Sequence, residues 1–182
     1  MFNHTLPALF TKSETTEIIR LAENAGLAQG GLVGGQRHDN IRRARINWLD
    51  DQGDAAWVMR RILDGVAQAN RDSFQFDITD FLERLQVAAY DETDEGHYDW
   101  HSDIGDGPLA RQRKLTIVTQ LSEGDSYEGG ALELSLGGHE IQASRDNGSA
   151  MVFASFMLHR VVPVSKGRRY SLTCWCHGPS FR

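Results

Sequence analysis

The spacing of hydrophobic residues changes character near residue 74. Before it, two stretches carry a helical period. In the first, Ile18, Ile19, Ala22 and Ala25 recur as one helix face requires. Thr11 with Glu14 forms a capping box ahead of them, and Gly26 supplies a stop. The second covers 54–70, where Ala55, Val58, Met59, Ile62, Val66 and Ala69 form a stripe to be buried. Between the two lie a glycine-rich segment, GLVGG at 31–35, and an arginine-rich run at 42–49, RRARINWL, which reads as a strand.

From residue 74 onward, short apolar or alternating runs are separated by turn residues. The predicted strands are 74–79, 83–91, 97–103, 114–121, 130–136, 138–144, 149–154, 158–164 and 169–176. Asp106-Gly107-Pro108, Glu128-Gly129-Gly130, Gly137-Gly138 and Asn147-Gly148 punctuate them. Many short strands at this spacing predict a sandwich or barrel, and a jelly roll of about eight strands also deals with exposed sheet edges. The expectation is a mainly β chain with N-terminal helices, organised as one domain over 1–182. Helical support occupies about 1–72 and the jelly-roll core about 73–182. No repeat, low-complexity tract or linker interrupts it.

With 182 residues, 40% of them hydrophobic and 24% charged, the chain can bury one substantial core. A formal net charge of -6 gives no long-range basic field for nucleic acid. No apolar run approaches the ~20 residues that span a membrane. The N-terminal MFNHTLPALF lacks the basic and apolar regions of a signal peptide, so none is expected. Cys174 and Cys176 would share a strand face but lie too near in sequence for an easy disulfide. They read as small buried hydrophobes in a reducing, cytoplasmic setting. No heptad or apolar stripe indicates an oligomeric state.

Candidate chemistry sits in the strand-rich half. His101 and Asp103 lie two apart, so on a strand both side chains share a face and Ser102 turns away. With His159 they make two imidazoles and one carboxylate, a set that can fill one face of a six-coordinate Fe(II) and leave the other open. Zinc, manganese and cobalt stay open on this pattern, and a lone His-X-Asp is common by chance. Arg169 shares a strand face with Ser171. A guanidinium and a hydroxyl so placed can grip one carboxylate. Otherwise Arg169 must face solvent, because an unpaired buried arginine is costly.

The segments YDETDEGHYDWHSD, GGALEL, GSAMVFASFMLHRVVPVSKGRRYSLTCW and the tail HGPSFR resemble the prolyl-4-hydroxylase-like 2-oxoglutarate/Fe(II)-dependent dioxygenases, most closely the bacterial PKHD-type hydroxylases. The likeness runs from about residue 82 to residue 182, and the helices and IRRARINWL are compatible with it. It implies a double-stranded β-helix, with His101, Asp103 and His159 as iron ligands and Arg169 binding the distal carboxylate of 2-oxoglutarate. Many collagen-type prolyl hydroxylases carry lysine there, so arginine points to other branches. Tyr90 resembles the upstream tyrosine whose hydroxyl helps hold that carboxylate. Tyr98 resembles the aromatic residue three positions before the first ligand, at the pocket wall, and Ser171 would touch the co-substrate. Thr116 and Thr119 lie on a strand that lines the pocket in this family, and ordinary strand propensity accounts for both. The implied reaction consumes 2-oxoglutarate and O2, forms succinate and CO2, and hydroxylates a C–H bond, with ascorbate as an optional accessory.

The substrate expected from the resemblance is a prolyl or other amino-acid residue in a peptide or protein, with neither nucleic acid nor membrane as partner. Arg42, Arg43, Arg45, Trp48 and Trp100 are candidates for a pocket rim, each equally a solvated or structural side chain. The acidic cluster Asp91, Glu92, Asp94, Glu95 and Asp99 hints at a basic peptide or amino acid, although such runs are more often solvated loops. Other readings stay open. They are a hydroxylase of a free amino acid or small metabolite on the same scaffold, a nucleobase demethylase disfavoured by the acidic charge, a non-enzymatic metal- or ligand-binding jelly-roll module, and a cupin-like zinc protein.

Overall fold

The computed structural model describes residues 3–30 and 41–181. The GLVGG segment lies outside the described residues. The elements along the chain are β1 (Asn3–Leu6), α1 (Lys12–Ala25), β2 (Ala28–Gln29), β3 (Arg42–Arg43), β4 (Arg45–Leu49), α2 (Ala56–Ala69), β5 (Leu85–Asp91), β6 (His97–His101), β7 (Arg113–Gln120), β8 (Tyr127–Gly129), β9 (Leu132–Leu136), β10 (His139–Gln142), β11 (Ala150–Ala154), β12 (His159–Val161) and β13 (Val164–His177). Two antiparallel sheets carry the strands. The larger runs β1-β11-β7-β13-β5-β4-β2, with β8 also on β13, and the smaller runs β10-β9-β12-β6-β3.

The larger sheet is covered on both faces. On β13, Tyr170, Leu172, Cys174 and Cys176 join the core beneath the helices, while Ser171, Thr173 and Trp175 face a cavity between the sheets. β5 and β7 alternate in the same way: Leu85, Val87, Ala89, Leu115 and Ile117 point to the helices, and Ala88, Tyr90 and Val118 to the smaller sheet. Burial on two sides explains why β11 and much of β5 read as nearly continuous apolar runs without a polar face. Both cysteines are buried and unpaired, and burial pushes the Cys174 thiol up to about 12.

The helices follow their sequence signals. Glu14 N donates to the Thr11 hydroxyl, and Thr11 N donates to Glu14 Oε2 at 2.8 Å, completing the capping box; Gly26 closes α1. Arg61 of α2 reaches Glu14 Oε1 at 2.8 Å and the Leu9 carbonyl at 2.9 Å, so the cap also ties the helices together. α2 starts at Ala56, after Ala55, which makes no side-chain cap bond. Its apolar stripe is buried.

Three strand expectations change. Residues 74–79 form no strand. Asn70–Phe74 continue α2 as a π-helical turn, and Asn70 then brackets Phe76, accepting from its N–H and donating to its carbonyl, both at 2.9 Å. That bracket takes the backbone groups a ladder would use. Phe74, Phe76 and Ile78 still pack on the helix-side core, so their alternation reflects burial without pairing. The N-terminal part is also more than helical support. β1 pairs with β11, and the run 42–49 divides at Ala44: β3 pairs with β6 in the smaller sheet and β4 with β5 in the larger. This stretch staples the two sheets along one side. Finally, β12 stops at Val161 and β13 begins at Val164, because Pro163 has no N–H for a ladder. The sequence pattern does not mark β1, β2 and β8, which are short and carry few buried residues.

The Asn147-Gly148 turn docks on the link between β1 and α1. The Gly148 carbonyl accepts from Leu9 N at 2.9 Å and Phe10 N at 3.1 Å. Gly148 has φ +78°, and a Cβ there would meet the Phe10 carbonyl oxygen at 1.9 Å. Thr11→Ala should cost about 1 kcal/mol through the lost cap, and Gly148→Ala should cost more. Urea unfolding of both variants checks the order; a Gly148→Ala variant as stable as the parent chain would contradict the packing.

Candidate metal centre and active-site cavity

β12 lies between β9 and β6, and its pairing with β6 slips: His159 pairs with His101, but Val161 pairs with Tyr98. The extra residue on β6 is a β-bulge. On a regular strand Tyr98 and His101, three apart, would face opposite ways. With the bulge both point between the sheets, and their rings stack with centroids 3.5 Å apart. β6 ends at His101, so Asp103 lies beyond the ladder and reaches the same face from a bend rather than a strand. Its N–H donates to the Ser155 carbonyl at 2.9 Å, and its carbonyl accepts from Arg113 Nη1 at 3.0 Å.

The fold thereby brings His101, Asp103 and His159 together, with one ligand atom from each within 4.8 Å of the others. His101 Nδ1 sits 2.7 Å from the Asp99 carbonyl, and His159 Nδ1 sits 3.0 Å from the Met157 carbonyl. A carbonyl only accepts, so each Nδ1 carries a proton, and the neutral form of each ring then presents its lone pair at Nε2. Those lone pairs face the Asp103 carboxylate at 3.8 and 3.5 Å. Burial, and then the neighbouring His159, pushes His101 down to about 4. For Asp103 burial acts upward, but His159, His101 and the Thr116 hydroxyl outweigh it and hold the carboxyl below its ordinary value. With both rings neutral, three electron-pair donors converge, and such a set fits a metal cation.

Thr116 exceeds the strand role expected of it. Its hydroxyl donates to Asp103 Oδ2 at 2.7 Å and so accepts from Ser155 Oγ at 3.1 Å. Thr119 falls on the other face of β7, where its buried hydroxyl has no partner among the described residues.

A cavity of about 280 Å³ opens beside the triad. Tyr90, Tyr98 and Ser171 line it, as do Arg42 and Trp48 among the candidate rim residues. Arg169 is 2% exposed and therefore does not face solvent. It lies behind Val118 and Leu132, which line both the main cavity and a small void at Arg169. Its Nε donates to Gln120 Oε1 at 3.1 Å, and its guanidinium carbon is 5.5 Å from the Tyr90 ring centroid. Its Nη1 is buried with no hydrogen-bond partner among the described residues. Leaving such a group unsatisfied is costly unless an acceptor arrives, and a carboxylate matches it best.

Other expected rim residues lie elsewhere. Arg43 is 3.7 Å from Glu95, Arg45 is 3.6 Å from Asp91, and Arg168 also pairs with Asp91. Trp100 lies under the Arg160 guanidinium at 4.6 Å. Glu92 accepts from Gly167 N. None of these residues lines the cavity, so the acidic cluster forms no subsite for a basic substrate there. Glu83, Gln86, Arg113 and Trp175 do line it, and the sequence reading missed them. Counting in twos from Tyr90 reaches Gln86, and from Ser171 reaches Trp175; that period was the available signal.

Residues 85–177 match the family model of the 2OG-Fe(II) oxygenase superfamily. The chain belongs to that superfamily. The matched span contains the triad and Arg169. A PKHD-type hydroxylase of Sphingopyxis alaskensis is 30% identical over 148 residues, which cover 78% of this chain and 66% of that protein. One from Maricaulis maris is 29% identical over 152 residues, covering 82% and 68%. One from Synechococcus sp. is 38% identical over 81 residues, covering 43% and 35%. The chain thus spans 35% to 68% of the length of these relatives. Among solved structures, a Pseudomonas putida prolyl-4-hydroxylase has a TM-score of 0.77 at 24% identity, over 97% of this chain and 92% of that one. A Trichoplax adhaerens prolyl hydroxylase in complex with a hypoxia inducible factor oxygen degradation domain peptide fragment has a TM-score of 0.79 at 20% identity, over 96% and 83%. Both share the fold of this oxygenase. The metal and co-substrate in the superfamily's description, Fe(II) and 2-oxoglutarate, suit the converging donors and the guanidinium whose Nη1 has no partner among the described residues. Among the described residues no helix is long and apolar enough to cross a membrane.

The depressed His101 sets a pH dependence. Between its ordinary value of 6.5 and about 4, the unfolded chain takes up a proton that the folded chain refuses. Stability of the metal-free protein should therefore fall as pH drops through that window, and His101→Gln should flatten this part of the curve. Denaturant unfolding at stepped pH checks this; identical slopes for the two proteins would contradict it.

Proposed function

We propose that this chain is a 2-oxoglutarate- and Fe(II)-dependent dioxygenase on a double-stranded β-helix (jelly-roll) domain spanning 1–182. It hydroxylates a C–H bond in a prolyl or other amino-acid residue of a peptide or protein. The observation that carries the reading is the convergence of three metal donors beside a cavity, backed by a buried guanidinium whose Nη1 has no partner among the described residues.

His101, Asp103 and His159 hold Fe(II), and Arg169 holds the distal carboxylate of 2-oxoglutarate. When bound, Fe(II) and 2-oxoglutarate supply the oxidising chemistry that puts one oxygen atom of O2 into a C–H bond. The protein positions and shields. The Asp99 and Met157 carbonyls hold the proton of each neutral imidazole on Nδ1 and turn both Nε2 atoms toward the site. Tyr98 stacks on His101 and restrains its ring. Gln120 donates to Tyr127 Oη at 2.9 Å, which turns its Oε1 to Arg169 and orients that guanidinium. Tyr90 and Ser171 belong to the walls of the same cavity, and Val118, Leu132 and Val161 give it apolar patches.

Several features support a peptide substrate. A cavity of about 280 Å³ admits a co-substrate and one inserted side chain rather than a folded protein surface. Trp48 and Trp175 offer flat apolar faces, with ring centroids 6.0 Å apart. Trp175 Nε1 is buried without a partner among the described residues, a donor suited to a main-chain carbonyl. The Trichoplax adhaerens neighbour was solved with a peptide fragment. The two buried free thiols suit a reducing compartment, which supports a cytoplasmic location.

Anaerobic titration with Fe(II) and 2-oxoglutarate should produce a charge-transfer band. On adding O2 and a peptide mixture, succinate should form together with peptides heavier by one oxygen atom. Oxygen gained only by free amino acids would replace the substrate, and no succinate with either pool would sink the enzyme reading. Asp103→Ala should abolish turnover, whereas Arg169→Ala should raise KM for 2-oxoglutarate far more than it lowers kcat.

A further inference from the structure

We propose that Glu83, Arg113 and His177 form a positioning chain for Asp103, an inference that rests on Asp103 being a metal ligand. Since β6 ends at His101, no ladder fixes the backbone of Asp103. Three bonds replace it: Asp103 N–H and Ile104 N–H to the Ser155 carbonyl at 2.9 and 3.2 Å, and Arg113 Nη1 to the Asp103 carbonyl at 3.0 Å, the one of the three that a side chain supplies. They pin the peptide planes on either side of the Asp103 Cα. Pinning both planes sets φ and ψ there, and with them the direction in which the carboxylate leaves the backbone.

Arg113 is itself held rigidly. It is 4% exposed, and its Nε and Nη2 form a fork on Glu83 Oε2 and Oε1 at 2.7 and 2.5 Å. Its guanidinium carbon lies 4.3 Å from the Trp175 ring centroid. Glu83 is braced from the far side by His177 Nε2 at 3.0 Å. Leu82 N–H donates to His177 Nδ1 at 3.3 Å, so the imidazole proton sits on Nε2 and points at Glu83. Burial acts upward on the Glu83 carboxyl, but the bonds from His177 and Arg113 outweigh it and keep it below its ordinary value. The pair is thus charged and mutually neutralised, with Arg113 buried and Glu83 partly so. An ion pair that served packing alone would end at Glu83. This one sends its remaining nitrogen to the carbonyl of a metal ligand. A lysine could not take over, because a point ammonium cannot fork a carboxylate and reach a third acceptor in the same plane.

The test is an anaerobic Co(II) titration of the full chain, followed by d–d absorption, on the parent protein, Arg113→Lys, Glu83→Gln and Asp103→Ala. Circular dichroism and thermal melting monitor the fold. Arg113→Lys and Glu83→Gln should bind Co(II) about 10- to 100-fold more weakly and with a changed d–d band, while keeping the parent's circular dichroism. Glu83→Gln preserves size and leaves Arg113 in place, so it decides the matter should Arg113→Lys unfold. A purely structural role would lower the melting temperature yet leave the Co(II) affinity and band of the folded variants at parent values, and that result overturns the proposal. A parent protein that binds Co(II) no better than Asp103→Ala would overturn the metal centre and the positioning chain together.

Discussion

Burial of the larger sheet on both faces is the constraint on which the rest depends. Helices cover one face and the smaller sheet covers the other, so a polar side chain on β5, β7 or β13 cannot escape to water and must find a partner. On the helix side these strands answer mainly with apolar residues. On the inner side they carry Gln86, Thr116, Gln120, Arg169 and Ser171, all buried. Hydrogen bonds account for much of this strip: Thr116 to Asp103, Gln120 to Arg169 and Tyr127, and Arg42 to Gln86. What the strip leaves open among the described residues is a guanidinium nitrogen and an indole nitrogen, two buried donors to which a ligand could supply acceptors.

The centre itself is assembled from departures from regular structure. A regular β6 would turn Tyr98 away from His101, and a longer one would put Asp103 in a ladder. The bulge stacks Tyr98 on His101, and the early end of the strand frees Asp103 to be placed by bonds from Ser155 and Arg113. Irregularity of this kind costs stability, and it persists here because surrounding groups over-determine it.

Much of this was legible in the sequence, for identifiable reasons. The capping box at Thr11 and Glu14 and the stripe of α2 are local, so spacing alone reveals them. The triad and Arg169 were legible through motif spacing and family resemblance, and the geometry unites the three donors. Where the reading failed, the missing information was non-local. Phe74, Phe76 and Ile78 alternate like a strand, but Asn70 had already taken the backbone of Phe76. The arginines of 42–49 looked alike in sequence, yet the sheet switch at Ala44 sends Arg42 to the cavity and Arg43 and Arg45 to the acidic turn. Glu83 lies just before the matched span and His177 at its far end, and only folding makes them neighbours.

The two-faced alternation of β13 makes register part of the site. Its odd positions, Arg169, Ser171, Thr173 and Trp175, serve the ligand side, and its even positions, Tyr170, Leu172, Cys174 and Cys176, fill the helix-side core. One inserted or deleted residue would exchange the two sets, placing thiols in the cavity and a guanidinium among aliphatic side chains. A change in the length of this strand would therefore disturb the cavity wall and the helix-side core together, whereas a substitution can alter one and spare the other.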